Sequence, residues 1–285
     1  MNKHLKRILG VAVPSVAVAF GLNRFYKDFR YGEKKAKDTF KFSEIAEVDT
    51  EGVHLTAHRG LSSVAPENSL CAFNEAAKYP YYAIECDVHC TTDDKWVIIH
   101  DHMIQSMTDE KGDIKTMSYD EKLSKMHYTN GANIDKYPEA GFCLVEDFIK
   151  VCKDNNIRPM IEVKDKRTQK VESLYKIICD LGVEDSVILI SFHPAVLREF
   201  RRLSPNMTLW YLMHNITDER LLECVENDNG VAFEAKRAFK APYMIQKIHD
   251  NNLTAATWTV DTPEMLNFMI SHGVKYITSN TILPL

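Results

Sequence analysis

The chain lacks a CxxC pair, a GxSxG turn, a glycine-rich phosphate loop and any internal repeat or low-complexity tract. Its seven cysteines are odd in number, and none stands at zinc-ligand spacing with a histidine. A disulfide scaffold or a zinc finger is therefore not expected. The cysteines read as small buried apolar residues. Without GxSxG there is no activated serine in view. Net positive charge is also confined to the N-terminus. The formal net charge is −5, yet residues 1–40 carry +6, so the remaining body holds −11. An acidic body excludes the basic groove that nucleic acid requires. It suits carboxylate clusters that hold a divalent cation.

A membrane-spanning helix needs roughly 20 apolar residues, and the apolar stretch Ile8–Leu22 has 15. Lys3, Lys6 and Arg7 precede it, and Ala17-Val18-Ala19 gives the small-residue pattern of a secretory cleavage site. Pro14 and the basic residues Arg24, Lys27 and Arg30 equally fit a short uncleaved anchor. Residues 1–22 are therefore expected to be a signal peptide or membrane anchor, making the protein membrane-associated or secreted rather than cytoplasmic. Residues 23–50, rich in Lys, Asp and Glu, read as a linker, and 51–285 as the catalytic domain.

From His54 onward, short apolar segments alternate with helix-period runs. Strands are expected at His54–His58, Ala83–Val88, Trp96–His100, Pro159–Val163, Val187–Ser191, Thr208–Leu212, Val231–Glu234, Ala255–Val260 and Lys275–Thr278. Helices are expected at Ser69–Lys78, Val145–Asn155, Gln169–Leu181, Ala195–Leu203, Asp218–Glu226, Tyr243–Asn251 and Pro263–Ser271. Such alternation implies a parallel sheet with helices outside it, closed or open. Nine strands are one more than an eight-stranded barrel uses, and His89–Lys95 is too short for a helical crossover. Irregularity is expected there. Thr108–Pro138 breaks the alternation and reads as an insertion over one barrel mouth.

Charged residues gather at the ends of the early strands: His58-Arg59-Gly60, Glu85-Cys86-Asp87, His100-Asp101 and Glu162-Val163-Lys164. In an α/β barrel that end carries the chemistry. Glu85 and Asp87, two residues apart in a strand, share one face. Burying two adjacent carboxylates costs several kcal/mol unless a charge offsets it. A divalent cation such as Mg²⁺ or Ca²⁺ accepts such hard oxygen ligands, with Glu162 as a third. Lys or Arg partners are the alternative. His58 and His100 each close a strand beside a charged neighbour, the placement for an acid and a base flanking a phosphodiester. Arg59 offers a planar fork for phosphate oxygens and Lys164 a point charge. The other histidines, including His89, His102, His193 and His272, are assigned no role.

The order His58-Arg59-Gly60, Pro66-Glu67-Asn68-Ser69, Glu85-Cys86-Asp87-Val88 and His100-Asp101 resembles the signature of the glycerophosphodiester phosphodiesterase family. Ile161-Glu162-Val163-Lys164, Ser191-Phe192 and Trp258-Thr259-Val260 are similar to its later motifs, so the resemblance runs from His54 to Asn280. It implies a TIM-type (β/α)8 barrel and a divalent cation (Mg²⁺ or Ca²⁺) on Glu85, Asp87 and Glu162. It further implies His58 and His100 as the acid/base pair, and Arg59 and Lys164 on the phosphate. Trp258 would stand in the pocket wall, with Glu67 and Asn68 supporting the first loop. The implied reaction is hydrolysis of small glycerophosphodiesters, the deacylated phospholipids, to glycerol phosphate and an alcohol. A membrane-tethered lysophospholipase D, a hydrolase of teichoic-type polymers and an inactive tethered binding module are the alternatives. Asp261 stands where the family commonly has Asn, and Thr278-Ser279-Asn280 where it has Thr-Asp before a proline.

Overall fold

The computed structural model describes residues 45–48 and 52–285. The segment read as signal or anchor, 1–22, and most of the expected linker lie outside them. Within that linker stretch, Ala46–Val48 forms a strand, β1. Its partner is the C-terminal strand Ile282–Pro284, and no local pattern in the sequence announces the pairing.

Eight parallel strands close into a TIM barrel. In chain order the strands are β2 (His54–Ala57), β3 (Ala83–Cys90), β4 (Trp96–Ile98), β5 (Arg158–Val163), β6 (Ile188–Ser191), β7 (Thr208–Met213), β8 (Gly230–Glu234), β9 (Ala255–Trp258), β10 (Tyr276–Ser279) and β11 (Ile282–Pro284). The barrel runs β2-β3-β5-β6-β7-β8-β9-β10, and pairing of β10 with β2 closes it. Runs such as Val187-Ile188-Leu189-Ile190 are buried on both faces, as a sheet wrapped in helices requires.

The ninth candidate is not a stave. Strand β4 lies antiparallel against the end of β3, with Val88 opposite Ile98 and Cys90 opposite Trp96. A tight turn over residues 91–95 suffices for an antiparallel return, which is why no helical crossover is present. His100, expected to close a third barrel strand, is instead carried back toward β3 by this return. The Ile99 amide donates to the Asp87 carbonyl at 3.0 Å. His89 Nε2 lies 3.2 Å from the His100 carbonyl.

The helices follow the expected segments within a few residues: α1 (Leu70–Ala76), α2 (Val145–Asp154), α3 (Val171–Asp180), α4 (Pro194–Leu203), α5 (Asp218–Glu226), α7 (Tyr243–Asp250) and α8 (Pro263–Ser271). Caps explain several starts. Thr217 and Thr262 each accept an amide hydrogen at a helix N-terminus, and Pro263 opens α8 with its φ already set. The short helix α6 (Ala235–Lys240) had no expected counterpart, since its one turn and a half shows no clear apolar period.

The insertion expected at Thr108–Pro138 belongs to a longer segment, 104–142, that is less polar inside than its composition implies. Ile104, Met107, Ile114, Leu123, Tyr128 and Phe142 pack with Val97 and Ile99 into a second small core. Four 3₁₀ turns space those apolar residues irregularly, hiding them from a periodicity reading.

Strand alternation decides what faces the barrel interior. Ala83, Met160, Ile190, Leu212, Ala232 and Ala256 form its apolar layer. Two residues further along each strand, on the same face, stand Glu85, Glu162, Phe192, His214, Glu234 and Trp258. Space is tight lower down: a Cβ on Gly230 would meet Trp210 Cδ1 at 2.3 Å, so only glycine admits the indole.

Candidate active site

In the loop after β2, His58 is followed by two residues in the left-handed region, Arg59 at φ 57° and Gly60 at φ 77°. A Cβ on Gly60 would fall 2.6 Å from the Ala72 carbonyl carbon, so the loop packs directly against α1. The turn aims the Arg59 amide at Glu85 Oε2, 2.9 Å away. The Arg59 guanidinium then bridges Glu67 Oε1 at 2.9 Å and Asp87 Oδ2 at 3.2 Å. Asn68, itself at φ 55°, donates to Asp87 Oδ2 at 2.8 Å and accepts from the Asp87 amide at 3.2 Å. Ser69 fixes this corner by capping α1 and donating to the Pro66 carbonyl at 2.6 Å.

Glu85, Asp87 and Glu162 converge. Each offers an oxygen within 4.8 Å of the others, and all three are buried. Asp87 and Glu162 are paired residues of adjacent strands, so the backbone register sets their proximity. Lys164 Nζ stands 3.1 Å from Asp87 Oδ1 and 2.7 Å from Glu162 Oε1. One ammonium thus bridges the two carboxylates.

The charges do not balance by themselves. Arg59 and Lys164 face four carboxylates, those of Glu67, Glu85, Asp87 and Glu162. Burial, with Asp87 and Glu162 nearby, pushes the Glu85 carboxyl well above its usual range. Burial likewise raises Glu162 to about 7, against the opposing pull of Lys164. Asp87 goes the other way: burial opposes its ionisation, but Lys164, His100, Arg59 and the Asn68 hydrogen bond hold it well below the carboxylate range. Three converging buried carboxyls, two of which resist ionisation as they stand, fit a divalent cation, whose charge would favour their ionised forms. An all-oxygen donor set selects a hard one.

The two histidines flank this cluster. His58 Nδ1 lies 2.7 Å from Asn280 Oδ1, and its Nε2 lies 4.0 Å from Glu85 Oε2. His100 Nδ1 lies 2.7 Å from Asp101 Oδ1. Burial and then Arg59 lower His58 to about 3, and the same two causes lower His100 to about 4. In each ring Nδ1 is engaged and Nε2 is left for chemistry; the Asp101 hydrogen bond pulls His100 back toward its charged form. His102, two residues on, pairs instead with Asp113 of the insertion at 3.4 Å.

Across the mouth stands an aromatic group. Phe192 stacks on His214 with centroids 5.1 Å apart, and Trp258 meets their edges at 5.8 and 5.4 Å. Glu234 Oε2 accepts from His214 Nδ1 and Arg237 Nε, each at 2.8 Å.

All ten residues singled out in the sequence thus line one mouth: nine in the charged cluster, and Trp258 in the aromatic group. Sequence reading named Asp101 only as the charged neighbour of His100, and gave no role to three others beside the site, His89, Asn280 and Asp261. The only signal for the last two was their departure from the family pattern.

The sequence matches the family described as Glycerophosphoryl diester phosphodiesterase family over residues 58–283. A curated relative, glycerophosphodiester phosphodiesterase 1 of Bos taurus, is 24% identical over 260 residues, covering 81% of this chain and 78% of its own. The crystal structure of a glycerophosphodiester phosphodiesterase from Parabacteroides distasonis superposes with a TM-score of 0.68 at 25% identity, over 84% of this chain and 94% of that one. An Oleispira antarctica phosphodiesterase, solved in complex with the product sn-glycerol-3-phosphate, shares the fold with a TM-score of 0.74 at 19% identity, over 80% and 93% of the two chains. The chain belongs to the glycerophosphoryl diester phosphodiesterase family and is a phosphoric diester hydrolase.

Proposed function

We propose that this family member hydrolyses glycerophosphodiesters, the deacylated phospholipids, to glycerol phosphate and an alcohol, with a divalent cation at Glu85, Asp87 and Glu162. The observation that carries the reading is the convergence of those three buried carboxylates between two histidines whose Nδ1 atoms are both engaged. The product bound by the Oleispira antarctica enzyme supports the substrate class. Mg²⁺ or Ca²⁺ held there supplies charge neutralisation and polarisation of a phosphate oxygen. Arg59 and Lys164, already at the cluster, are placed to hold the remaining phosphate oxygens.

His58 Nε2 acts as base and takes the proton of the glycerol hydroxyl next to the phosphate. That oxygen attacks phosphorus, and the bond to the departing alcohol breaks. His100 protonates the leaving oxygen; its Asp101 partner favours the imidazolium that this donation needs. The histidines then exchange roles as water opens the cyclic phosphate. A hydroxyl already held beside phosphorus gains roughly 7–11 kcal/mol over free water in favourable cases. Trp258 and its aromatic neighbours form the wall against which the organic arms of the substrate lie.

The test is an assay of the full chain against glycerophosphocholine, glycerophosphoethanolamine, glycerophosphoinositol and a lysophospholipid, with and without chelator. Chelator-sensitive release of glycerol phosphate is expected. Failure to cleave any glycerophosphodiester with Mg²⁺ or Ca²⁺ present overturns the reading. Rapid cleavage of a substrate lacking the adjacent hydroxyl replaces the cyclic route with direct attack by water.

A further inference from the structure

Asp261 and Asn280 belong to the loops that follow β9 and β10, and neither reaches the carboxylate cluster. The Asn280 amide donates to Asp261 Oδ1 at 2.8 Å, and Asn280 Nδ2 donates to Asp261 Oδ2 at 2.8 Å. Both oxygens of one carboxylate thus grip one residue. Asp261 is held in turn: its carbonyl accepts from Thr281 Oγ1 at 2.9 Å, and Ser279 Oγ donates to its Oδ1 at 3.4 Å.

This grip has a directional consequence. A carboxylate only accepts hydrogen bonds, so the Asn280 side chain must turn its NH₂ toward Asp261. Its Oδ1 then points the opposite way, to His58 Nδ1 at 2.7 Å, and also accepts from Ser62 Oγ at 3.2 Å. An amide oxygen only accepts as well. His58 Nδ1 must therefore carry the hydrogen, which leaves the lone pair on Nε2, the nitrogen that faces Glu85.

We propose that Asp261 and Asn280 form a carboxylate–carboxamide relay that fixes His58 in its Nδ1–H tautomer. Asp261, which touches no reacting atom, is thereby a positioning residue for turnover. The proposal rests on the reading of His58 as an acid/base group.

The relay makes an isosteric prediction. In Asp261→Asn the new amide oxygen satisfies the backbone N–H of residue 280, so its NH₂ faces the NH₂ of Asn280. The Asn280 amide relieves this by turning over and presents Nδ2 to His58 Nδ1. His58 must then accept there and move its hydrogen to Nε2, losing the base with no change of side-chain volume. Asn280→Asp alone sets two carboxylates against each other. The double exchange, Asp261→Asn with Asn280→Asp, restores every hydrogen bond with donor and acceptor reversed between the two side chains, and again places an acceptor on His58 Nδ1.

The experiment uses the full chain with ¹⁵N-labelled histidine, reading the His58 tautomer by long-range nitrogen–proton correlation alongside steady-state kinetics. Wild type should show hydrogen on Nδ1. Asp261→Asn should move it to Nε2 and lower kcat by roughly 100-fold or more, the scale of a misplaced general base, with KM little changed. The double exchange should return both the tautomer and most of kcat, which a merely structural role for Asp261 does not predict. An unchanged tautomer in Asp261→Asn, or a double variant no better than the poorer single one, overturns the relay. If Asp261→Asn does not fold, the comparison of Asn280→Asp with the double exchange decides on the same grounds. The tautomer is read without substrate, so wild-type inactivity on glycerophosphodiesters would sink the functional reading and leave this one standing.

Discussion

Strands β2, β3 and β5 arrive at the mouth with His58, Asp87 and Lys164, whereas β6, β7 and β9 arrive with Phe192, His214 and Trp258. The charged arc is held by ion pairs and hydrogen bonds between buried groups, and two of its carboxyls resist ionisation. The aromatic arc is held by ring contacts. Its one carboxylate, Glu234, is paired and lies below the usual carboxylate range; partial burial opposes that shift, and hydrogen bonds from His214 and Arg237 overcome it. Energetic cost is therefore concentrated on one side, where a cation and a phosphate can relieve it. The other side is settled before any ligand arrives. On the proposed reading, chemistry falls to the first arc and substrate fit to the second.

Chelation and Asp87→Asn should break this division most severely. Each should take turnover to background, because the substitution removes a formal charge while keeping shape. Isothermal titration of Asp87→Asn with Mg²⁺ or Ca²⁺ should show the loss of affinity directly; full turnover by exhaustively chelated protein would contradict the assignment. Next come His58→Ala and His100→Ala, each expected to lower kcat by ~10²–10⁴ with the fold intact by circular dichroism. His102→Ala should be mild, since that ring pairs with Asp113. A dispensable His100 beside an essential His102 would reverse the assignment.

On the aromatic side, Trp258→Ala should raise KM by roughly tenfold and leave cation affinity unchanged, the pattern of lost uniform binding. A fall in cation affinity would show that the arcs are not separable. The smallest effect concerns stability and pH. Glu162 ionises near 7 in the folded protein against about 4.5 for an unperturbed carboxyl. Between those values the folded state binds the extra proton, so metal-stripped protein should lose stability as pH rises from about 4.5 to 7. Thermal melts at pH 5.5 and 7.5 should show the lower midpoint at 7.5, restored by the cation and flattened in Glu162→Gln.

Much of this was legible in the sequence for specific reasons. Glu85 and Asp87 share a face because strands alternate, and the apolar run 187–190 marks a doubly buried strand. Glu162 was legible by position, at the end of a strand, although its pairing with Asp87 is a matter of register. The direction of β4 was not legible in its own three apolar residues; only the connection before it, too short for a helical crossover, marked an irregularity. Nor was the β1–β11 pairing, which joins segments more than 230 residues apart. Asp261 and Asn280 appeared only as two separate departures from a pattern. In the folded chain they meet each other, so two apparent anomalies become one hydrogen-bonded pair.

The anchoring of His100 also bears on how such an enzyme can diversify. Its three fastenings, the Ile99 amide on Asp87, the His89 ring on its carbonyl and its own ring on Asp101, all precede residue 103. The chain rejoins the barrel framework where Leu144 bridges back to Val97. Between them lies a segment whose small core is completed by Val97 and Ile99, and Ser118, Tyr119 and Asp120 all donate hydrogen bonds to Asp93 in the turn before β4, so a replacement must keep those ties to leave the histidine undisturbed. Among the contacts such a replacement must reproduce is that of Tyr128, whose hydroxyl reaches the Asn68 carbonyl at 3.3 Å. A designer seeking new selectivity would graft here, keep that tyrosine, and leave the charged cluster untouched.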